Sequence, residues 1–389
     1  MLLTQDQARS RQRTTSAYAT AATAHQTFLQ TRSFGSLDGI RAFCCLLVVK
    51  AHAGWDSGIR IFDTPGLGVE MFFAISGFLI VTLLLRERSK TGTVSLRKFY
   101  ARRSLRIFPI YYTSILTVIF VTCFLALMHK PGPFLFYRFA FVVLLTYTQD
   151  FIPADLGSFH PCWSLAMEEQ FYLVWPTIEK LTSTWVRWIL LIAVIVASEL
   201  TNFGFFNSLI QRIYHDPAAI KMPLFSATFA PIAFGVCLAH LFNNPRTYRV
   251  AFRVLGYRWA PIVWTTVLAL VFGFAPADLS GMPHLLIQLT LALLLASVVI
   301  REDSFAAPLL TFPLLARIGA ISYGLYLYHQ WILDFSKRFI DGIVHRVGVP
   351  QISSFLHFLI ACNLCIIVAD LSFRWFEKPI LRLRARFQS

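Results

Sequence analysis

From Leu37 onward, apolar stretches of roughly 17–22 residues succeed one another almost to the end of the chain. This is the length an α-helix needs to cross a hydrocarbon core. Polar and basic residues collect in the gaps. The pattern predicts spanning helices near residues 37–55, 66–86, 106–127, 162–181, 185–204, 222–243, 258–275, 284–301, 314–335 and 353–374. A further apolar stretch, 134–152, is short and tipped by the polar run TYTQD. It reads as re-entrant or interfacial, which is tolerated where backbone packs against protein or lines a cavity. Residues 1–34 are polar and contain no apolar core of a signal peptide, so a flexible cytoplasmic tail is expected there.

Lysine and arginine orient the spans. The segment from Arg86 to Arg106 carries Arg86, Arg88, Lys90, Arg97, Lys98, Arg102, Arg103 and Arg106, and is therefore cytoplasmic. Arg246, Arg249, Arg253 and Arg258 mark a second cytoplasmic segment. Lys378, Arg382, Arg384 and Arg386 mark a third, whereas 275–284 has no Lys or Arg and belongs outside. The segment 336–352 must also lie outside, although it carries Lys337, Arg338 and Arg346. The expected fold is all-α and polytopic. It has about ten transmembrane helices plus the re-entrant or interfacial segment, with both termini cytoplasmic. The membrane domain covers 35–378, and a basic cytoplasmic tail covers 379–389.

Composition agrees. Hydrophobic residues make up 56% of the chain and charged residues 14%, with 37 Phe. Soluble domains carry about 25% charged residues. The net charge of +15 follows the positive-inside pattern and does not point to nucleic acid. The 7 Cys lie mostly in apolar runs, so Cys362 and Cys365 read as small buried residues and not as a metal or redox pair.

The charges inside the apolar runs carry the chemistry. Arg41 and His52 share the first predicted span, roughly 16 Å apart along a helix. Ionisable groups at membrane depth are costly, and by default they point to function. In the predicted orientation Arg41 lies near the cytoplasmic end and His52 in the outer half. Glu70 opens the second span from outside, and Glu168 and Glu169 lie near the outer start of another. A carboxylate beside His52 would orient its tautomer and make a usable general base. Mutual pairing that glues helices together is the structural alternative. Lys50 either snorkels outward or points into the cavity against a carboxylate. Arg102, Arg103 and Arg106 cluster at one helix start, as a phosphate-rich ligand would require, or else form a topogenic collar. Ser76-Gly77 permits close helix approach, and no Gly-x-Ser-x-Gly elbow marks Ser76 as a nucleophile. His329 and His160 are lone histidines, for which a satisfied interior or interfacial place is the default. No helical His–carboxylate spacing suggests a metal site.

In order along the chain, SLDGIRA with its downstream His, GVEMFFAISGFLI, RKFYARRSLRIFPIYY, CWSLAMEEQFYLVWP and ISYGLYLYHQWI resemble the hallmark segments of the acyltransferase-3 family of integral-membrane acyltransferases. The resemblance covers residues 36–378. It implies an acyl-CoA donor, usually acetyl-CoA, used from the cytoplasmic side. It also implies transfer to a hydroxyl on a carbohydrate, lipid-linked sugar or small metabolite. It places the family's Arg and His on Arg41 and His52, its Arg-x-x-Arg on Arg103 and Arg106, and its carboxylates on Glu168 and Glu70. Lys50 departs from the aliphatic or aromatic residue usual there. With Ser76, Trp163 and His329 it completes the candidate substrate contacts. The implied reaction is direct transfer: arginines hold the CoA phosphates, His52 takes the acceptor proton, and Glu168 orients the imidazole, with no metal. No hydrolase-like domain follows the resemblance in this sequence, so the acceptor-selecting parts are expected in the membrane domain and its outer loops. The expected location is a bacterial cytoplasmic membrane. A secondary transporter or a non-catalytic membrane protein is the alternative, but no internal repeat of the transporter kind is visible.

Overall fold

The computed structural model describes residues 20–129, 141–151, 157–215, 229–347 and 353–387, and among these it is all-helical. The helices are α1 (Ala21–Gln30), α2 (Gly35–His52), α3 (Pro65–Thr91), α4 (Leu96–His129), α5 (Cys162–Leu181), α6 (Thr184–Asn202), α7 (Asn207–Tyr214) and α8 (Ala230–Asn243). They continue as α9 (Pro245–Leu255), α10 (Ala260–Phe274), α11 (Met282–Ile300), α12 (Ala307–Leu310), α13 (Pro313–Ala320), α14 (Ser322–Val347), α15 (Ser353–Ser372) and α16 (Lys378–Arg382).

Among the described residues, four helical stretches are long and apolar enough to cross a membrane: α3, α6, α11 and the run 354–382. A fifth is added if α9 and α10, bent by 70°, count as one. Charges keep α2 and α5 out of this set. α2 carries Asp38, Arg41 and Lys50, and α5 carries Glu168, Glu169, Glu179 and Lys180. Burial sorts the apolar helices. α3 is 67% buried over its apolar window and α6 only 11%, so α3 is central and α6 peripheral. α6 turns Trp185, Ile189, Ile192 and Val196 outward, as a lipid-facing helix does.

α3 starts with proline in its first turn and ends at Gly92, whose φ of 77° caps the helix through a bond from its N–H to the Arg88 carbonyl. It crosses α8 in backbone contact. A Cβ on Gly77 would lie 2.1 Å from the Ile232 carbonyl oxygen, and one on Gly235 would lie 2.1 Å from that of Ala74. This is the close approach expected of Ser76-Gly77, and it fixes the face of α3 that carries Ser76.

Several boundaries differ from the sequence pattern. The predicted span 314–335 is two helices: α13 ends at Ala320 and α14 begins at Ser322. Gly319 sits where a Cβ would be 1.9 Å from the Asp38 carbonyl, so α13 packs in backbone contact with α2 just before the break. α14 then runs to Val347, absorbing much of the segment assigned to an outer loop. In the predicted span 222–243, helix is described only from Ala230, and 222–228 lie outside the described residues. In 134–152, residues 134–140 lie outside them, 141–145 are helical, and the chain turns at Tyr147, stacked on Tyr111 at 4.4 Å.

Both predicted tails contain ordered structure. Within 1–34, helix α1 packs into the core: Ala24 and Phe28 are buried, and His25 Nε2 bonds the Phe242 carbonyl at 3.0 Å. Beyond 378, α16 leads into a 3₁₀ turn, Leu383–Phe387, which lies against α4. All seven cysteines are free thiols, with Cys362 and Cys365 buried among apolar side chains as expected.

Candidate functional site

A cavity of about 300 Å³ runs between α2, α3, α4, α5 and α14. Its walls have two chemically different ends.

At one end, seven guanidiniums line the space: Arg32, Arg41, Arg86, Arg102, Arg103, Arg106 and Arg384. Three have protein partners. Arg41 pairs with Asp38 at 3.1 Å, one helical turn earlier. Arg86 donates to the carbonyls of Thr31 and Phe28. Arg102 pairs with Glu87 at 3.1 Å and donates to the Phe387 carbonyl at 2.9 Å. Arg103 and Arg106 form no salt bridge among the described residues, but Arg103 lies within electrostatic reach of Glu168 and Glu169, and Arg106 of Glu377. Arg103 lies over the Tyr172 ring at 4.8 Å, and Arg106 lies within electrostatic reach of Arg41, Arg103 and Arg384. Like charges at such spacing repel by about 1–4 kcal/mol per pair at contact, depending on the local dielectric. A polyanion would relieve that repulsion. Arg384, expected only as part of a basic tail, joins this wall, and its Nε is buried without a partner. Neighbouring basic residues in 378–386 concealed it, since a topogenic collar has the same composition.

The other end is polar, with the Glu168 carboxyl within electrostatic reach of Arg41 and Arg103. Ser76 Oγ donates to Glu168 Oε1 at 2.9 Å. The Tyr172 hydroxyl lies 3.0 Å from Glu168 Oε2 and 2.9 Å from Ser76 Oγ. Opposite them, Ser164 Oγ and the Tyr326 hydroxyl are 2.7 Å apart.

His52 stands at the end of α2, beyond this polar end of the cavity. Its Nδ1 lies 2.9 Å from the Val48 carbonyl, one turn back. A carbonyl can only accept, so Nδ1 carries the proton and Nε2 presents its lone pair. The expected orientation by Glu168 is therefore corrected. Both Glu168 oxygens are taken by Ser76 and Tyr172, and backbone sets the imidazole tautomer. The ring next to His52 is His329, with centroids 5.0 Å apart at 68°.

The other candidates separate. Glu70 belongs to a different cluster: its Oε1 meets His284 Nε2 at 2.5 Å, His284 Nδ1 meets Asn202 at 3.1 Å, and Asn202 holds Glu199 at 2.9 Å. Sequence reading missed His284 because it opens an apolar run after an outer loop and no spacing ties it to Glu70. Glu169 faces the buried tyrosines around Tyr323. Trp163 packs edge-on against Phe73 at 6.1 Å.

Lys50 points away from His52. It is paired with Asp63 in the loop between α2 and α3 and lies 5.0 Å from the Trp55 ring. Burial pushes the Asp63 carboxyl up, but Lys50 and Ser57 outweigh it and hold it down at about 2. Because the folded value lies below the unfolded one, the stabilisation is full above the ordinary carboxylate range and is lost only as pH falls towards 2. Lys50 is 7% exposed and Asp63 25%. Asp63→Asn should therefore cost about 2 kcal/mol, somewhat less than the about 3–5 kcal/mol of a fully buried pair. Adding Lys50→Met should restore much of that loss. Thermal unfolding in detergent measures both, and an unchanged midpoint in Asp63→Asn would exclude a structural pair.

The profile of the acyltransferase-3 family, an acyltransferase domain, matches residues 34–374. The chain is 27% identical over 373 residues to peptidoglycan O-acetyltransferase OatA of Listeria monocytogenes, covering 89% of this chain and 55% of that protein. It is 28% identical over 369 residues to YrhL of Bacillus subtilis, provisionally named a peptidoglycan O-acetyltransferase, covering 90% and 55%. The chain thus spans about half the length of the curated relatives it matches. No solved structure matches. A profile match across most of the chain, over the helices that build this cavity, makes the protein a member of the acyltransferase-3 family.

Proposed function

We propose that the protein is a membrane-embedded O-acyltransferase that moves an acyl group, acetyl in the simplest case, from cytoplasmic acyl-CoA to a hydroxyl of a glycan or related acceptor. The observation that carries this reading is the polarity of one cavity. Guanidiniums, several of them without a salt bridge, line one end, and a Ser–Glu–Tyr cluster lines the other, with the His52 imidazole just beyond. CoA carries its phosphates at one end and its thioester at the other, which suits such a cavity. The names of the relatives support a hydroxyl-bearing glycan as acceptor.

In this reading the chain is a multi-pass protein of the bacterial cytoplasmic membrane with about ten spans and both ends inside, the arginine end of the cavity facing the cytoplasm. Arg103 and Arg106, with Arg41, hold the donor phosphates. Arg102 contributes less, since Glu87 already neutralises it. The thioester carbon reaches the level of Ser76 and Glu168. The acceptor hydroxyl enters from outside, His52 Nε2 takes its proton, and the alkoxide forms the new C–O bond as the C–S bond breaks. Glu70 is not part of this step, because His284 holds it.

The test is thiol release from acetyl-CoA by purified protein in lipid nanodiscs, with and without a chitooligosaccharide. Saturable release that the sugar accelerates, with acetyl on the sugar, is the expected result. Absence of both acetyl-CoA binding and thiol release would reject the reading in favour of a non-catalytic role.

A further inference from the structure

His329 has no exposed surface, and its Nε2 has no hydrogen-bond partner. A buried polar atom left unsatisfied costs about 1–3 kcal/mol. Such atoms in native structures call for a specific explanation, among them an ordered water or a catalytic role. His329 Nδ1 lies 2.5 Å from the Tyr326 carbonyl, which fixes its proton on Nδ1 and leaves a bare lone pair on Nε2. His52 has the same arrangement through Val48. Two neighbouring imidazoles thus share one tautomer, each pinned by its own helix backbone.

Their positions form a sequence in space. The Tyr326 hydroxyl and Ser164 line the cavity, the His329 ring lies 5.3 Å from the Tyr326 ring, and the His52 ring lies 5.0 Å beyond that. Asp334 and His160 also lie within electrostatic reach of His52. Lys50 is occupied by Asp63. A packing pair would need only the ring contact. It would not need both Nδ1 protons tied back and the buried His329 Nε2 left bare.

We propose that His52 and His329 form a two-imidazole proton relay. In it, His329 carries the proton removed from the acceptor hydroxyl towards the sulfur of the departing donor. This rests on the reading above, in which the acyl group moves outward. The proton must then move inward, because the oxygen that loses it and the thiolate that needs it approach from opposite sides. His52 Nε2 takes the hydroxyl proton as the C–O bond forms. His52 passes a proton to His329 Nε2, directly or across one water, and returns to neutral. The C–S bond breaks, the thiolate takes the proton, and the free thiol leaves. No oxidant, reductant or further reactant is needed.

His329→Gln keeps the size of the side chain and removes the base. It should lower single-turnover thiol release from acetyl-CoA about a hundredfold, the lower range for losing a proton-transfer group. Acetyl-CoA affinity should stay within about twofold, since no phosphate contact changes. The decisive reading is the leaving group. Phenyl thioacetate releases a thiolate that needs little protonation, so His329→Gln should lose far less rate with it than with acetyl-CoA. An equal loss with both donors, a rate in His329→Gln close to wild type with acetyl-CoA, or parallel loss of acetyl-CoA binding would each overturn the relay. His52→Ala separates the two ideas. If it is inactive while His329→Gln is active, only the relay fails. If it too is active, the assignment of His52 as base fails.

Discussion

His52→Ala should abolish acyl transfer while leaving acetyl-CoA binding intact. Removing a general base costs on the order of a hundred- to ten-thousandfold in rate. The effect should be confined to chemistry because His52 makes one backbone bond and one ring contact, and neither touches the arginine end of the cavity. The rate of wild type should rise with pH as the imidazole loses its proton, and that limb should vanish in the variant. Glu168→Gln should behave differently. It keeps the shape of the Ser76–Tyr172 cluster but weakens two charge-assisted bonds, so a smaller loss is expected. Initial rates in nanodiscs, with donor affinity measured separately, decide this. Near wild-type turnover in His52→Ala would move attention to the Ser76–Glu168 pair.

Arg103→Ala or Arg106→Ala should weaken acetyl-CoA binding about ten- to a hundredfold, the equivalent of losing one charge-assisted contact worth about 1.5–3 kcal/mol. Neither guanidinium forms a salt bridge among the described residues, so the fold should survive, although Glu169 loses Arg103 and Glu377 loses Arg106 as a nearby opposite charge. Arg384→Ala should act in the same direction. Arg102→Ala should instead be destabilising, since it strands the buried Glu87. Equilibrium binding of acetyl-CoA, read beside thermal unfolding, separates the two patterns. Unchanged affinity in the Arg103 and Arg106 variants would return the cluster to a purely topogenic role.

What could be read from the chain was what one element carries by itself. Arg41 and His52 lie on one helix, and Arg103 and Arg106 open another, so spacing alone announced both groups. Ser76 beside Gly77 likewise predicted the contact between α3 and α8. What was hidden depends on partners distant in sequence. Nothing near Glu168 says that Ser76 is opposite it, and nothing near Glu70 points to His284. His329 looked like a satisfied interior histidine because its neighbours are apolar. Its missing partner at Nε2 exists only in three dimensions. The break at Ile321 was masked because the apolar run continues through it, while the backbone contact of Gly319 with α2 beside it exists only in three dimensions.

Helix α1 changes where this domain begins. The family match opens at residue 34, yet Thr20 and Thr23 already close a capping box that starts α1. Arg86, on the cavity wall, spends its hydrogen bonds on the last carbonyls of that helix and lies within 5.5 Å of the Phe28 ring. The unit inherited across the family and the unit that folds therefore have different edges. A chain trimmed to the homologous boundary would keep every recognisable motif. It would also turn an anchored guanidinium into an unsatisfied one at the mouth of the cavity.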